Sequence, residues 1–531
     1  MRIKAFLGAL ALLASIAPAY AQRDGGTASL VLPYGASITT LDIHSSARAQ
    51  DGIISLAIHR GLYSWDSDKN EPVPELAKAV EVSPDGMVYT YKLRDNARFH
   101  NGRKLTAADI IWSYQRILDP KGAFAGARYL RIIAGAEEFE AGKATSISGL
   151  EAVDDNTLKI TLKDRVDPAQ YLFWPEVSVL PREEVERLGP GFATAPIGLG
   201  PYKFVSMTSG SRIVVERFDD FYKGKPHLDK IVYNIMGEAP ARDVAFRSKD
   251  IDVNLLGSAQ YPVYKADPVF SKNLVEVAEY RTRFFALNPR FKPFQDKRVR
   301  QAINYAINSD LIINRLVKDK AYRATGWLPT TSVAYNPEIK AFPFDPEKAK
   351  QLLKEAGYEK GFEVELVTTN NESFGNTIVE ATIPFLAKVG IIVKPKVVEN
   401  AVGQDLLFQK GDFDAAIWSL ASGPDPLAAM KRFHSTTSRP AGNIFGYANK
   451  DMDALIDAAS AAKDKTEQAT ILKKADALLV DDAAMWFFNY NKAVLVHQPW
   501  LKGIQKNAVE LTNQYPEYLW IDETSPRANA K

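Results

Sequence analysis

Residues 74–118 read PELAKAVEVSPDGMVYTYKLRDNARFHNGRKLTAADIIWSYQRIL. Val88, Tyr89, Thr90, Tyr91, Lys92 and Leu93 are mostly β-branched or aromatic, as a strand prefers. Pro84-Asp85-Gly86 ahead of them is turn chemistry: proline presets φ, and glycine takes a positive φ at little steric cost. Thr106 offers an N-cap oxygen and Asp109 follows three residues on, a capping-box-like helix start. Ile110, Ile111, Tyr114 and Ile117 then recur at helical spacing and define one apolar face. The stretch predicts a hairpin followed by an amphipathic helix.

Working outward, helix punctuation is clear in the C-terminal half. Asp345 caps a helix with Pro346 at its first position, and Gly357 follows its last turn. A strand at Val364–Thr368, a helix from about Gly375 to Val389 stopped by Gly390, and a strand at Ile391–Val398 come next. A helix near Val402–Lys410, stopped by Gly411, precedes a buried strand, Asp414–Ser419. This alternation predicts a sheet covered by helices. The N-terminal half is more mixed, with meander-like strands at Thr157–Leu162, Tyr202–Phe204 and Ile213–Arg217. No internal repeat is seen, and Pro526–Lys531 reads as a frayed tail.

The chain has 531 residues, 46% apolar and 24% charged, which is ordinary for a globular protein of about three domains. Its formal net charge is +2. Without Arg2 and Lys4, basic and acidic side chains both number 64. No strongly basic face is required, so nucleic acid is not an expected partner. Arg2 and Lys4, the apolar run Ala5–Ala17 and Ala19-Tyr20-Ala21 form a signal-peptide pattern over 1–21, with cleavage before Gln22. The run is too short to anchor the chain as a spanning helix. The chain contains no cysteine, which closes lipoprotein anchoring, disulfides and thiolate metal sites. An exported protein is expected, periplasmic in a Gram-negative cell.

Enzyme signatures are missing. There is no GxSxG elbow, no GxxxxGK[ST] loop and no HExxH. The six histidines, His44, His59, His100, His227, His434 and His497, include no pair at helical metal spacing. No cofactor and no metal are expected. A binding module instead needs aromatic walls and a few fixed polar groups between two lobes.

The wording of the opening stretch, Evs.DG..YTy.LRd.a.FH.G..lTA.DI..SyqRil, resembles the segment by which family 5 solute-binding proteins of bacterial ABC importers are recognised. These are the oligopeptide, dipeptide, nickel and opine receptors. A second stretch, Asn288–Ile307, matches the family's N...PF.D.RVRQAi.yAI. Its helix, about Asp296–Asn308, carries Val299, Ala302, Ile303 and Ala306 on one face, with Asp296 as cap. The resemblance covers essentially the whole mature chain. It implies an α/β, two-lobed periplasmic binding protein fold of type II, in the large class with an extra subdomain. Lobe 1 would be 22–65 with 191–285 and 490–531, the extra subdomain 66–190, and lobe 2 the inserted 286–489. Crossovers are expected near Arg283–Asn288 and Phe487–Val496. The function implied is capture of a peptide-like or amino-acid-conjugate solute by hinge closure, with delivery to membrane permease subunits. The receptor would act as a monomer and not as an enzyme.

The best single site is Trp418-Ser419-Leu420-Ala421-Ser422-Gly423-Pro424-Asp425-Pro426, a strand entering a Gly/Pro loop before a helix. Asp425 has two readings: an N-cap for that helix, or a carboxylate facing the cleft. Peptide receptors of the family carry W....(G/Y).DP here, and the aspartate holds the ligand's α-ammonium. That match implies that Asp425 binds an amine and Trp418 lines the pocket. The loop after Val364–Thr368 departs from the dipeptide receptors, which place an arginine there. Here Asn370 and Asn371 stand in it, as an ordinary turn or as hydrogen-bonding groups for hydroxyls and amides. Arg281, Arg283 and Arg439 are candidates for an acid group, each equally readable as structural. Neighbouring strand residues face opposite sides, so only one of Arg281 and Arg283 is expected to face the ligand. Ser46, in Ser45-Ser46-Ala47-Arg48, corresponds to a loop touching ligand main chain. The set suits a peptide or an opine-like sugar–amino-acid conjugate. A metal-chelate or haem receptor and a secreted hydrolase are the remaining readings.

Overall fold

The computed structural model describes residues 23–33, 38, 40–46, 49–370 and 375–530. The signal-peptide pattern of 1–21, Ala47, Arg48 and Asn371 lie outside the described residues. Strand β1 (Thr27–Leu32) leads to a hairpin of β2 (Tyr63–Asp66) and β3 (Glu71–Pro74). Strands β4 (Ala77–Val82) and β5 (Val88–Leu93) follow, joined through a turn in which Gly86 holds φ +73°. After the helix Ala107–Leu118 come β6 (Leu150–Asp154) and β7 (Thr157–Thr161), then β8 (Tyr202–Thr208), β9 (Arg212–Arg217) and β10 (Lys230–Ile235). A short β11 (Val253–Leu255) precedes the 14-residue β12 (Leu274–Leu287). The rest are β13 (Ala321–Arg323), β14 (Phe362–Thr368), β15 (Ile391–Val397), β16 (Ala415–Ala421) and the 13-residue β17 (Met485–His497).

The predicted hairpin and helix are both present. β4-β5-β7-β6 is a four-stranded antiparallel sheet. The helix Ala107–Leu118 packs Ile110, Tyr114 and Ile117 inward. Asp109 accepts from Thr106 N at 2.9 Å, and Arg103 forks onto its two oxygens at 2.8 and 2.9 Å. A carboxylate at the N-terminal turn meets orphan N–H groups and the positive end of the helix dipole.

A second sheet is built as β1-β10-β9-β8. The third, in the order β11-β17-β12-β16-β14-β15 with β13 on β17, ties the molecule together. β12 and β17 are long enough to belong to two cores. One apolar cluster runs from Ala28 to Tyr280 and resumes at Ala493. Two further clusters occupy the faces of the sheet between Phe284 and Tyr490. Between these bodies the β12–β17 register breaks from Ala278 to Thr282, and Tyr280 N donates to Ala508 O instead. A bulge there bends the strand where it leaves one body for the other.

The helices of the C-terminal half fall where glycine and aspartate placed them. Asp345 accepts from Lys348 N at 2.8 Å at the start of Pro346–Glu355, and Asp296 from Arg298 N at 2.8 Å at the start of Lys297–Ala306. The helix before Gly411 begins at Asn400 and widens to π geometry over Asp405–Lys410.

Candidate inter-lobe binding site

β14 and β16 are parallel and end at one edge of the third sheet. In open α/β sheets that edge is where ligands are held. β16 runs into Ser422–Asp425, and Asp425 caps the helix Pro426–Lys431, accepting from Leu427 N at 2.9 Å. The capping reading therefore holds, with the backbone of Leu427 and Ala428 both bonding the carboxylate. Burial pushes the Asp425 carboxyl up, and the negative charge of Asp167 pushes it further, against its backbone hydrogen bonds. Asp167 belongs to the other body, just ahead of the short helix Ala169–Leu172. Tyr171, in that helix, is pushed up to about 12 by burial, then by Asp425 and Asp167. Lys465 Nζ crosses from the second body to Asp167 Oδ2 at 2.8 Å. Asp425 thus faces the seam between the bodies, with Asp167, Tyr171 and Lys465 around it.

On the neighbouring strand, Arg281 stands opposite Ala421, and Arg283 opposite Ser419. The expectation that only one arginine can face the ligand is corrected here. Residues two apart in a strand share a face, so both lie on the same side of β12. Arg281 is half-exposed in mid-β12, opposite the last residue of β16, and Arg283 is only 7% exposed. Arg283 Nη2 donates to Asn491 Oδ1 at 2.7 Å. Burial pulls Arg283 down to about 10, helped by the charge of Arg281 and opposed by Glu279. Glu279 is pushed up to about 7 by burial and by Glu510, although Leu511 N donates to it at 2.9 Å. The half-buried Lys320 falls to about 8 through desolvation and the charge of Arg283. The two arginines, Lys320 and Glu279 form one group at the junction of the bodies.

Other candidates are placed elsewhere. Trp418 is 4% exposed, opposite Phe284 in the core cluster, with its ring edge against Gly403. Strand alternation turns it inward, so it is core here and not a cleft wall. Arg439 is at the opposite end of β16 from Asp425, roughly 20 Å along a strand of this length. It donates to Leu407 O at 3.2 Å and to Ile444 O, and lies 5.7 Å from the Phe413 ring centroid. Those partners make it a staple of the second body, and it does not join the other arginines. Asn370 is exposed at the end of β14. Ser46 is buried in the first body and donates to Asp51. The structure therefore brings Asp425, Arg281 and Arg283 to one sheet edge and leaves Trp418, Arg439 and Ser46 apart from it. Asp167, Tyr171 and Lys465 are not singled out in the sequence, where no motif marks them.

Among the described residues no group of three or more histidines and carboxylates is arranged to hold a metal. No helix among them is long and apolar enough to cross a membrane.

This architecture is that of a solute receptor: two bodies joined by two long strands, with polar groups gathered at the seam. The profile "Bacterial extracellular solute-binding proteins, family 5 Middle" matches residues 71–440. The chain belongs to this family, the substrate-binding proteins of ABC importers. It is 28% identical over 502 residues to the glutathione-binding protein GsiB of Pectobacterium atrosepticum, covering 92% of each chain. Among solved structures it is similar to the periplasmic binding protein AgaA of A. tumefaciens R10 in complex with agropinic acid. That match has 28% identity and a TM-score of 0.73, covering 93% of this chain and 99% of that one. The ABC-transporter-associated DppA of Helicobacter pylori, in complex with the peptide STSA, gives 25% identity and a TM-score of 0.75. It covers 94% of this chain and 99% of the other. The two-lobed fold and the receptor class read from the opening stretch are thereby established.

Proposed function

We propose that the protein is a periplasmic receptor that closes two lobes around a small peptide-like or amino-acid-conjugate solute. Lobe 1 comprises 22–65, 191–285 and 490–531, with 66–190 as its extra subdomain, and lobe 2 comprises 286–489. The observation that carries the reading is Asp425. It is a carboxylate of lobe 2 at the seam, raised by burial and by the charge of Asp167 of lobe 1, and its own charge helps to raise Tyr171 of lobe 1. An ammonium placed there would meet two carboxylates and give each a charge-assisted hydrogen bond. Asp425 binds the amine, and the arginines in the middle of β12, beside the end of β16, bind an acid group.

Open and closed forms interconvert, and solute favours the closed one by touching both lobes. Groups already held in place lower the ordering cost of closure. The strand bulge between Ala278 and Thr282 is the hinge on one crossover. The closed monomer then docks on permease subunits at the inner membrane. The receptor transforms nothing and uses no cofactor. The resemblance to AgaA and the arginine-free loop at Asn370 support an opine-like conjugate as the second reading of the solute.

Calorimetric titration with glutathione, the peptide STSA and agropinic acid tests this. One-site binding of at least one compound, recovered unchanged, is expected. Asp425→Asn should weaken an amine-bearing solute about 10- to 100-fold. Chemical turnover, or an unchanged affinity in Asp425→Asn, contradicts the proposal.

A further inference from the structure

One row of the sheet carries polar chemistry that the fold leaves unmatched. Ser419 of β16, Arg283 of β12 and Asn489 of β17 are register partners across three adjacent strands. Directly opposed residues point to the same face, so the three side chains form a line. All are buried: Ser419 is 8% exposed and Asn489 not at all. Arg283 Nε, Ser419 Oγ and both amide atoms of Asn489 have no hydrogen-bond partner among the described residues. An unpaired polar group in this setting costs about 1–3 kcal/mol, and a charged one more. Folded proteins leave few of them, yet three neighbours in one row share the property.

Each of the three residues offers a donor: the guanidinium Nε–H, the serine hydroxyl and the asparagine NH₂, while the serine oxygen and Asn489 Oδ1 can also accept. Arg283 has one neutral partner, the Asn491 side-chain oxygen, and forms no ion pair within 4.0 Å among the described residues. Asn491 passes its own N–H to Glu279, so the carboxylate reaches the arginine only through an amide. Arg281 and Lys320 add positive charge to the same place. Below the row the same face is apolar, with Phe285, Ile417 and Trp486. Above it, two residues along the strands, are half-exposed Arg281 and exposed Ala421. The row therefore stands roughly 7 Å from the end of β16.

We infer that Arg283, Ser419 and Asn489 form the receptor for the solute's carboxylate, with Arg281 at its mouth. This rests on the proposed receptor function and names the group that selects the solute. A carboxylate offers two oxygens with about four acceptor sites in a plane, and matches a guanidinium flanked by two neutral donors. Its charge balances a cation that the fold itself leaves without a direct counterion. Asp425 and this row then divide the solute between them, amine to one end and acid to the other. Glu279, raised towards neutrality by burial and by Glu510, competes little for the arginine.

The test uses the full mature chain as wild type, Arg283→Met and the charge-retaining Arg283→Lys. In the first arm, whichever of glutathione, the peptide STSA and agropinic acid binds is compared by calorimetry with its acid-blocked amide. Blocking should weaken wild type about 100-fold, the scale for breaking a buried charged pair. Arg283→Met should weaken the acid form as much and the amide hardly at all, with Arg283→Lys between. Equal loss for both forms, or none, overturns the inference. The second arm needs no solute: melting temperature in sodium acetate against sodium chloride at equal ionic strength. Wild type should rise saturably with acetate and Arg283→Met should not; the same response in both overturns the inference. If Arg283→Met does not fold, Arg283→Lys and Ser419→Ala carry the same comparison. A panel in which nothing binds, beside an acetate response that depends on Arg283, rejects the peptide-like solute and upholds the anion site.

Discussion

The start of the helix at 107–118 and the segment at 419–425 are both junctions into a helix whose first turn is held by an aspartate, yet they are finished differently. At the first, Asp109 accepts from Thr106 and is forked by Arg103, while Tyr91, Phe99 and Tyr114 are fully buried around it. At the second, Asp425 caps its helix under the negative charge of Asp167 from the other body, and the neighbouring row keeps unmatched donors. The first aspartate is matched by its own helix start and by Arg103, although Tyr114 Oη in the same helix has no partner among the described residues. The second region gathers unmatched donors near a carboxylate at a seam between two bodies, where a ligand can meet them.

The largest separation of the two regions should come from their cores. Phe99→Ala should destabilise the protein by about 3–5 kcal/mol, read by urea denaturation, without changing solute affinity in the fraction that stays folded. Loss of affinity with full stability would erase the distinction. Asp425→Asn should do the opposite. Asparagine is as good an N-cap as aspartate, so stability should move by less than about 1 kcal/mol while affinity falls.

The sheet edge also predicts a pH effect. Glu279 titrates near 7 in the folded protein, against 4.5 ordinarily, because of burial and then Glu510. The folded state then holds more protons than the unfolded chain between about pH 4.5 and 7, so this group lowers stability as pH rises through that window. Glu279→Gln should therefore melt above wild type at pH 8, and the difference should vanish near pH 4.5. Its size is at most about 3 kcal/mol, from the width of the shift. A difference independent of pH would show that Glu279 is not the titrating group. The smallest effect belongs to Lys465→Ala. Its pair with Asp167 is exposed, with Lys465 76% accessible, and such pairs contribute about 0–1 kcal/mol. Stability should be unchanged, and a large loss would make that contact a structural bridge.

Legibility in the sequence follows the same division. The strand at 88–93, the turn glycine and the helix caps were readable because local chemistry alone dictates them. Asp296, Asp345 and Gly411 also act locally and stand where they were expected. The site was readable only in part. Asp425 announced itself through a strand, a Gly/Pro loop and a helix start in succession. Asp167 and Lys465, 298 residues apart, meet only through the closing of two bodies. Asn489 joins Arg283 through sheet register, including a one-residue slip before Phe284 that no local pattern reveals. Trp418 misled for the converse reason: its motif is local, but the face of β16 it occupies is set by the sheet.

The account stands most directly on the solute itself. Protein purified from its native host, denatured, and its released ligand identified by mass spectrometry should yield a small molecule carrying both an amine and a carboxylate. A porphyrin, a metal chelate, or a compound with neither group would contradict the division of the solute between Asp425 and Arg283.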